Sequence, residues 1–116
     1  MSRDVAIVKV RGEPRPVTDV AEDDYIALAN DLAAVQSAIR TALPSAKWCS
    51  ATWAVYEGPD FEIEISLEFV QSGKTVLLSV HGCGNATPAI MALIEPSGWS
   101  AINCSTGDFI SPSDET

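Results

Sequence analysis

From Phe61 to Phe69 the chain alternates without a break: Phe61, Ile63, Ile65, Leu67 and Phe69 are apolar, and Glu62, Glu64, Ser66 and Glu68 are polar. Successive side chains of a strand point to opposite faces. A period of two therefore predicts a half-buried strand with its apolar residues on a core and its carboxylates on the other side. Upstream, Thr52 to Tyr56 is aromatic and β-branched, and Gly58-Pro59-Asp60 supplies turn chemistry, so the two runs read as a hairpin. Downstream, Gln71-Ser72-Gly73-Lys74 turns the chain into a third strand from Thr75 to Val80. Two more strands are predicted. Val5 to Val10 is closed by the Gly- and Pro-bearing segment Arg11 to Pro16, and Trp99 to Cys104 is followed by a turn at Ser105 to Asp108 and a short returning piece at Phe109-Ile110.

The period changes to 3.6 in two places. Leu32, Val35, Ile39, Ala42 and Leu43 share one helical face, Asn30-Asp31 offers capping side chains ahead of them, and Pro44 ends the run. Thr87-Pro88 reads as a cap followed by proline in the first turn, and Ile90, Met91, Leu93 and Ile94 form a short apolar helix that stops at Pro96-Ser97-Gly98. Between Val17 and Asp31 lies an acidic packed loop anchored by Tyr25, Ile26 and Leu28. The resulting order is β-α-β-β-β-α-β. It describes one α+β domain over residues 1–110, with two helices on one face of a mostly antiparallel sheet of about five strands and a flexible tail at 111–116.

Composition narrows the function classes. Sixteen acidic residues against seven Lys and Arg give a net charge of −9 at pH 7, which argues against nucleic acid and anionic membranes as partners, since phosphates demand cations. It leaves a basic protein partner. No stretch approaches the roughly 18 apolar residues of a membrane span, and Met1-Ser2-Arg3-Asp4 lacks the basic and apolar regions of a signal peptide. A cytoplasmic protein is expected. Three cysteines without a Cys-x-x-Cys pair read as reduced, small buried residues, and no metal or cofactor site is expected.

Two clusters carry candidate chemistry. His81-Gly82-Cys83-Gly84 places the one histidine two residues from a thiol beside glycine backbone, the raw material of a nucleophile with an oxyanion loop. No Gly-x-Ser-x-Gly turn accompanies it, so its simpler reading is a tight passage from strand to helix. A small-molecule site or enzyme using this region is the alternative function, and a homo-oligomeric subunit is a third. Trp48, Trp53 and Trp99 read as core or sheet-edge packing. The second cluster is the carboxylate row Glu62, Glu64 and Glu68, with Glu57 and Asp60 at the hairpin turn and no Lys or Arg between Lys47 and Lys74. Together with Trp53 and Tyr56 as apolar neighbours, these are the candidate partner-binding residues. No catalytic residue is assigned.

The pattern Trp53-x-x-Tyr56-Glu57-Gly58-x-x-Phe61-x-Ile63-Glu64, then Val80-His81-Gly82-x-Gly84-x-x-x-Pro88-Ala89, then Gly98-Trp99 and Cys104 to Ile110, resembles a group of small acidic bacterial proteins of unassigned function. The resemblance spans most of the chain from Trp48 to Ile110. Its members look like immunity proteins of bacterial toxin systems, which bind and neutralise a toxin domain in the cytosol. The resemblance implies a toxin domain as the basic partner. Where such patterns often carry glycine, this chain has Cys83, which weakens the case for a nucleophile there.

Overall fold

The computed structural model describes residues 2–68, 70 and 74–116. Phe69, the last member of the alternating run, and residues 71–73 of the expected turn lie outside the described residues. Among the described residues, seven strands, β1 (Ser2–Val10), β2 (Tyr25–Ile26), β3 (Lys47–Ser50), β4 (Trp53–Gly58), β5 (Phe61–Ser66), β6 (Val76–Gly82) and β7 (Ser100–Asn103), are joined by helices α1 (Leu32–Ala42) and α2 (Thr87–Ile94). The α+β class is as the sequence predicts. The sheet gains two strands because β2 and β3 are short pieces with no period of their own.

The strands from β3 to β6 form an antiparallel meander, and β6 pairs with β1 from Ser2↔His81 to Ile7↔Val76. The other flank of β1 pairs with β7, from Val5↔Asn103 to Val8↔Ser100, and β2 pairs with its end at Lys9 and Val10. Because β6 and β7 are both antiparallel to β1, they run parallel to each other. Parallel strands need a long crossover, and α2 supplies it.

One face of the sheet is the core. Val5, Ile7, Ala54, Ile63, Ile65, Val76, Leu78, Val80 and Ala101 join one buried cluster with Val35 and Ile39 of α1 and with Ile90, Leu93 and Ile94 of α2. Ile63 and Ile65 are 1% and 0% exposed whereas Glu62 and Glu64 are half-exposed, so the predicted strand register holds. Trp99 is buried at 5% exposure, and its indole N–H donates to the Leu28 carbonyl at 3.0 Å, fixing the loop before α1 to the start of β7. Asp31 caps α1 by accepting from the Ala34 amide at 2.8 Å. At α2 the expected cap, Thr87, is already helical. Asn85 Oδ1 takes up the Thr87 amide at 3.1 Å, and Pro88 falls in the first turn.

Other expectations change. The three cysteines, read as buried, are exposed free thiols: Cys49 lies on the outermost strand, and Cys83 and Cys104 follow the ends of β6 and β7. Cys83 and Cys104 stand just past strand ends, where the apolar pattern stops, and Cys49 lies on a short edge strand that has none. Residues 111–116, expected to form a flexible tail, return to α2. The buried Thr116 donates its amide to Asn85 Oδ1 (2.8 Å), accepts from the Ala86 amide (2.6 Å) and pairs its hydroxyl with Thr87 Oγ1 (2.9 Å). The loop after β1 is tied by Arg15, which bonds Asp24 at 2.6 Å and the carbonyls of Arg11 and Glu13, each at 2.9 Å.

Two stability tests follow from this packing. Trp99→Ala removes a large buried ring and its hydrogen bond, and urea denaturation should record a loss of about 3–5 kcal/mol; a loss under about 1 kcal/mol would contradict its role. Asp24 has a carboxyl held below the usual carboxylate range, first by the Ala21 amide and then by Arg15. A lowered folded pKa adds stability that is present above the unfolded pKa and lost as pH falls through the folded one. Asp24→Asn should therefore flatten the acid limb of the melting-temperature profile and leave its alkaline limb unchanged.

Candidate functional site

The strand register assembles residues from six strands on the face of the sheet that the core does not use. One row crosses β4, β5 and β6 as Glu57, Glu62 and His81. The next runs Lys47, Val55, Glu64, Ser79, Asp4, and the third runs Trp53, Ser66, Leu77, Ala6, Ile102. Neighbouring strands are about 4.8 Å apart and same-face residues along a strand about 7 Å apart, so these rows form one continuous plate. Val55, Trp53, Leu77, Ala6 and Ile102 are half-exposed, and none belongs to the cluster that both helices cover.

The plate is divided by polarity. At the hairpin end stand Glu57, Glu62, Glu64 and Asp4; towards the other end lie Trp53, Leu77, Ala6 and Ile102. Glu57 and Glu62 face each other directly across the β4–β5 ladder. Like charges in that position destabilise a sheet. The one imidazole of the chain stands beside them, with His81 Nε2 lying 3.4 Å from Glu64 Oε2 and side chains 43% and 34% exposed. Asp4 accepts from Ser79 Oγ at 3.2 Å.

The residues predicted from the sequence divide between the two faces. Glu57, Glu62, Glu64 and Trp53 come together on the open plate. Glu68 lies past the end of β5 in an exposed turn, so the carboxylates form a patch across strands instead of a line along one. Tyr56 pairs with Ile63 and therefore faces the helices, where its ring meets Phe61 at 6.2 Å between centroids. Asp60 sits in the hairpin turn with a positive φ of 60° and lines a cavity with Tyr56. Asp4, His81 and Lys47 belong to the plate although the sequence did not nominate them for it. Their membership depends on pairings between distant segments. The polar residues Asp4, Ser79 and His81, set two apart from one another or from Ala6 along β1 and β6, are the available signal once those two strands are placed side by side.

The His81-Gly82-Cys83-Gly84 loop is explained by close backbone approach. The Gly84 amide donates to the Asp60 carbonyl at 2.8 Å, and a Cβ on Gly84 would stand 2.3 Å from the Pro59 carbonyl oxygen. Gly82 adopts φ +104°, where a side chain would be strained, and its Cβ would meet the Asp60 oxygen at 2.5 Å. His81 points to the plate and Glu64, while Cys83 lies on the exposed loop beyond the strand. Among the described residues no group of three or more His, Cys, Asp or Glu could hold a metal ion, and no helix is long and apolar enough to cross a membrane. Comparison of the chain with protein-family models, with curated proteins and with solved structures finds no match.

The Glu57–Glu62 pair gives a test of the plate's electrostatics. Glu57→Lys converts a repulsive cross-strand pair into an attractive one, and thermal or urea denaturation at low salt should show a gain of about 0.2–1 kcal/mol. The gain should shrink in concentrated salt, because the pair is solvent-exposed. A loss of stability would mean that the two carboxylates do not interact as the register requires.

Proposed function

We propose that this protein is a binding module whose open sheet face docks a basic protein partner, and that it acts in the cytosol as an immunity protein that neutralises a bacterial toxin domain. The observation that carries the reading is the Glu57–Glu62 cross-strand pair beside Glu64 and Asp4, a concentration of like charge on a rigid sheet next to half-exposed Trp53, Leu77 and Ile102. A cationic surface would relieve the repulsion on binding, and the neighbouring apolar residues supply the desolvated contact from which affinity comes. The resemblance in the Trp53 to Ile110 pattern supports the narrower reading of a toxin domain, whose substrate-binding cations such a patch would occupy.

Capture of the partner from the native cell lysate is the first step, and association kinetics against the purified partner are the second. Glu62→Lys with Glu64→Lys should slow association by about an order of magnitude or more at low salt and flatten its salt dependence, with the fold unchanged by circular dichroism. Trp53→Ala should instead act mainly on the dissociation rate. Unaltered kinetics in both variants would move the interface away from this face.

A further inference from the structure

The helix side of the hairpin carries a second site, independent of the open plate. A cavity of about 580 Å³ lies between the end of α1, the β4–β5 turn and the flank of α2. Its volume falls within the range of small-molecule sites. Tyr56 and Phe61 give it aromatic walls, and Leu43, Pro88 and Ala89 line it with further apolar surface. Among the described residues, Asp60 is the one acidic residue that lines it, and no Lys, Arg or His does.

We infer that this cavity binds a small organic cation, an ammonium group carried on an apolar or aromatic body. Three features select that class. The first is the charge of the lining, in which Asp60 is the one charged residue; Arg3, which donates to the Gly84 carbonyl at 3.3 Å, is not among the lining residues. The second is the pair of aromatic rings, half-exposed and tilted by 36°, whose faces attract an ammonium group while their area covers its hydrocarbon part. The third is the end of α1: Ala42, Leu43, Pro44 and Ser45 line the cavity, so the negative end of the helix dipole lies against it. An anion is disfavoured at the other helix as well, because the amides of Ala86 and Thr87 before and at the start of α2 are already taken by Thr116 and Asn85. The turn is held in shape without a ligand. The Gly84 amide fixes the Asp60 carbonyl, and Asp is among the residues that tolerate a positive φ.

Nuclear magnetic resonance titration of the full chain with 2-phenylethylammonium and its neutral analogue 2-phenylethanol tests the assignment. The ammonium compound should bind at millimolar concentration or better, with shifts centred on Tyr56, Phe61 and Ala89, and the alcohol should bind about tenfold more weakly. Asp60→Asn, which keeps a residue tolerant of the turn, should bring the ammonium compound down to the level of the alcohol and leave the alcohol unchanged. Absence of binding, equal affinity of the two compounds for the natural chain, or shifts centred on Glu62 and Glu64 would each overturn the site. If Asp60→Asn fails to fold, the comparison of the two compounds on the natural chain decides alone. A short lysine-containing peptide that binds this cavity more tightly than the free amine would overturn its assignment to a small molecule. None of these outcomes depends on whether a protein partner docks on the open face.

Discussion

The placement of β1 between β6 and β7 is the constraint from which the rest of the architecture follows. It joins residues that are some 70 to 100 positions apart in the chain, from Ser2↔His81 to Val5↔Asn103. With both flanks of β1 occupied by antiparallel neighbours, β6 and β7 must be parallel and must be bridged by an element that crosses the sheet. The crossover is α2, whose eight residues are apolar nearly all round and mostly buried. Such a helix can lie only against the core. Because α1 packs into the same cluster, both helices fall on one side and the opposite side of the sheet carries the alternate residues of the strands, most of them at least half-exposed.

That division settles what the polar positions of the strands mean. On β5 alone, Glu62 and Glu64 are ordinary outward residues. Once β4 and β6 are registered against it, Glu57 comes opposite Glu62, His81 comes opposite Glu62 on the other flank, and Asp4 is brought within the same row as Glu64 by way of Ser79. The His81–Glu64 contact adds an imidazole to the patch, and Lys47 stands at the far edge of the row. A patch of this sign also bears on self-association. Pairing two copies through it would bring carboxylates against carboxylates, so a symmetric dimer built on this face would be opposed by its own charge.

Much of the fold was legible in the sequence because its signals are local. The alternation from Phe61 to Leu67, the 3.6-residue repeat from Leu32 to Leu43 and the Gly-Pro-Asp turn each report on neighbours within a few residues. The carboxylate face could be read for the same reason. What could not be read was which strands flank β5, and so the membership of Asp4 and His81 in the patch. As an aromatic beside the acidic turn, Tyr56 reads from the sequence as a neighbour of the carboxylates, but it is one residue out of phase with Trp53, Val55 and Glu57 and so turns towards the helices. Glu68 was carried by extrapolating the period past Ser66, where the strand ends. The short strands β2 and β3 have no pattern because their order comes from longer neighbours. The exposed cysteines show the limit of composition, since a thiol is compatible with either environment.

The glycines of the His81 to Gly84 segment illustrate how the same residues can invite a chemical reading and serve a geometric one. A glycine-rich loop next to a histidine and a thiol has the ingredients of an oxyanion site, yet its amide at Gly84 is committed to the Asp60 carbonyl and its two glycines are required by backbone approaching within van der Waals distance. This contact joins the end of β6 to the β4–β5 turn. It therefore holds Glu57 and Glu62 at the rim of the open plate on one side of the sheet, and Asp60, Tyr56 and Phe61 around the cavity on the other. The hairpin turn is thus the one segment shared by the two surfaces. Because main-chain contacts hold its backbone, substitution at Glu57, or at Asp60 by a residue that tolerates its positive φ, can change the chemistry of either surface without disturbing the geometry of the other.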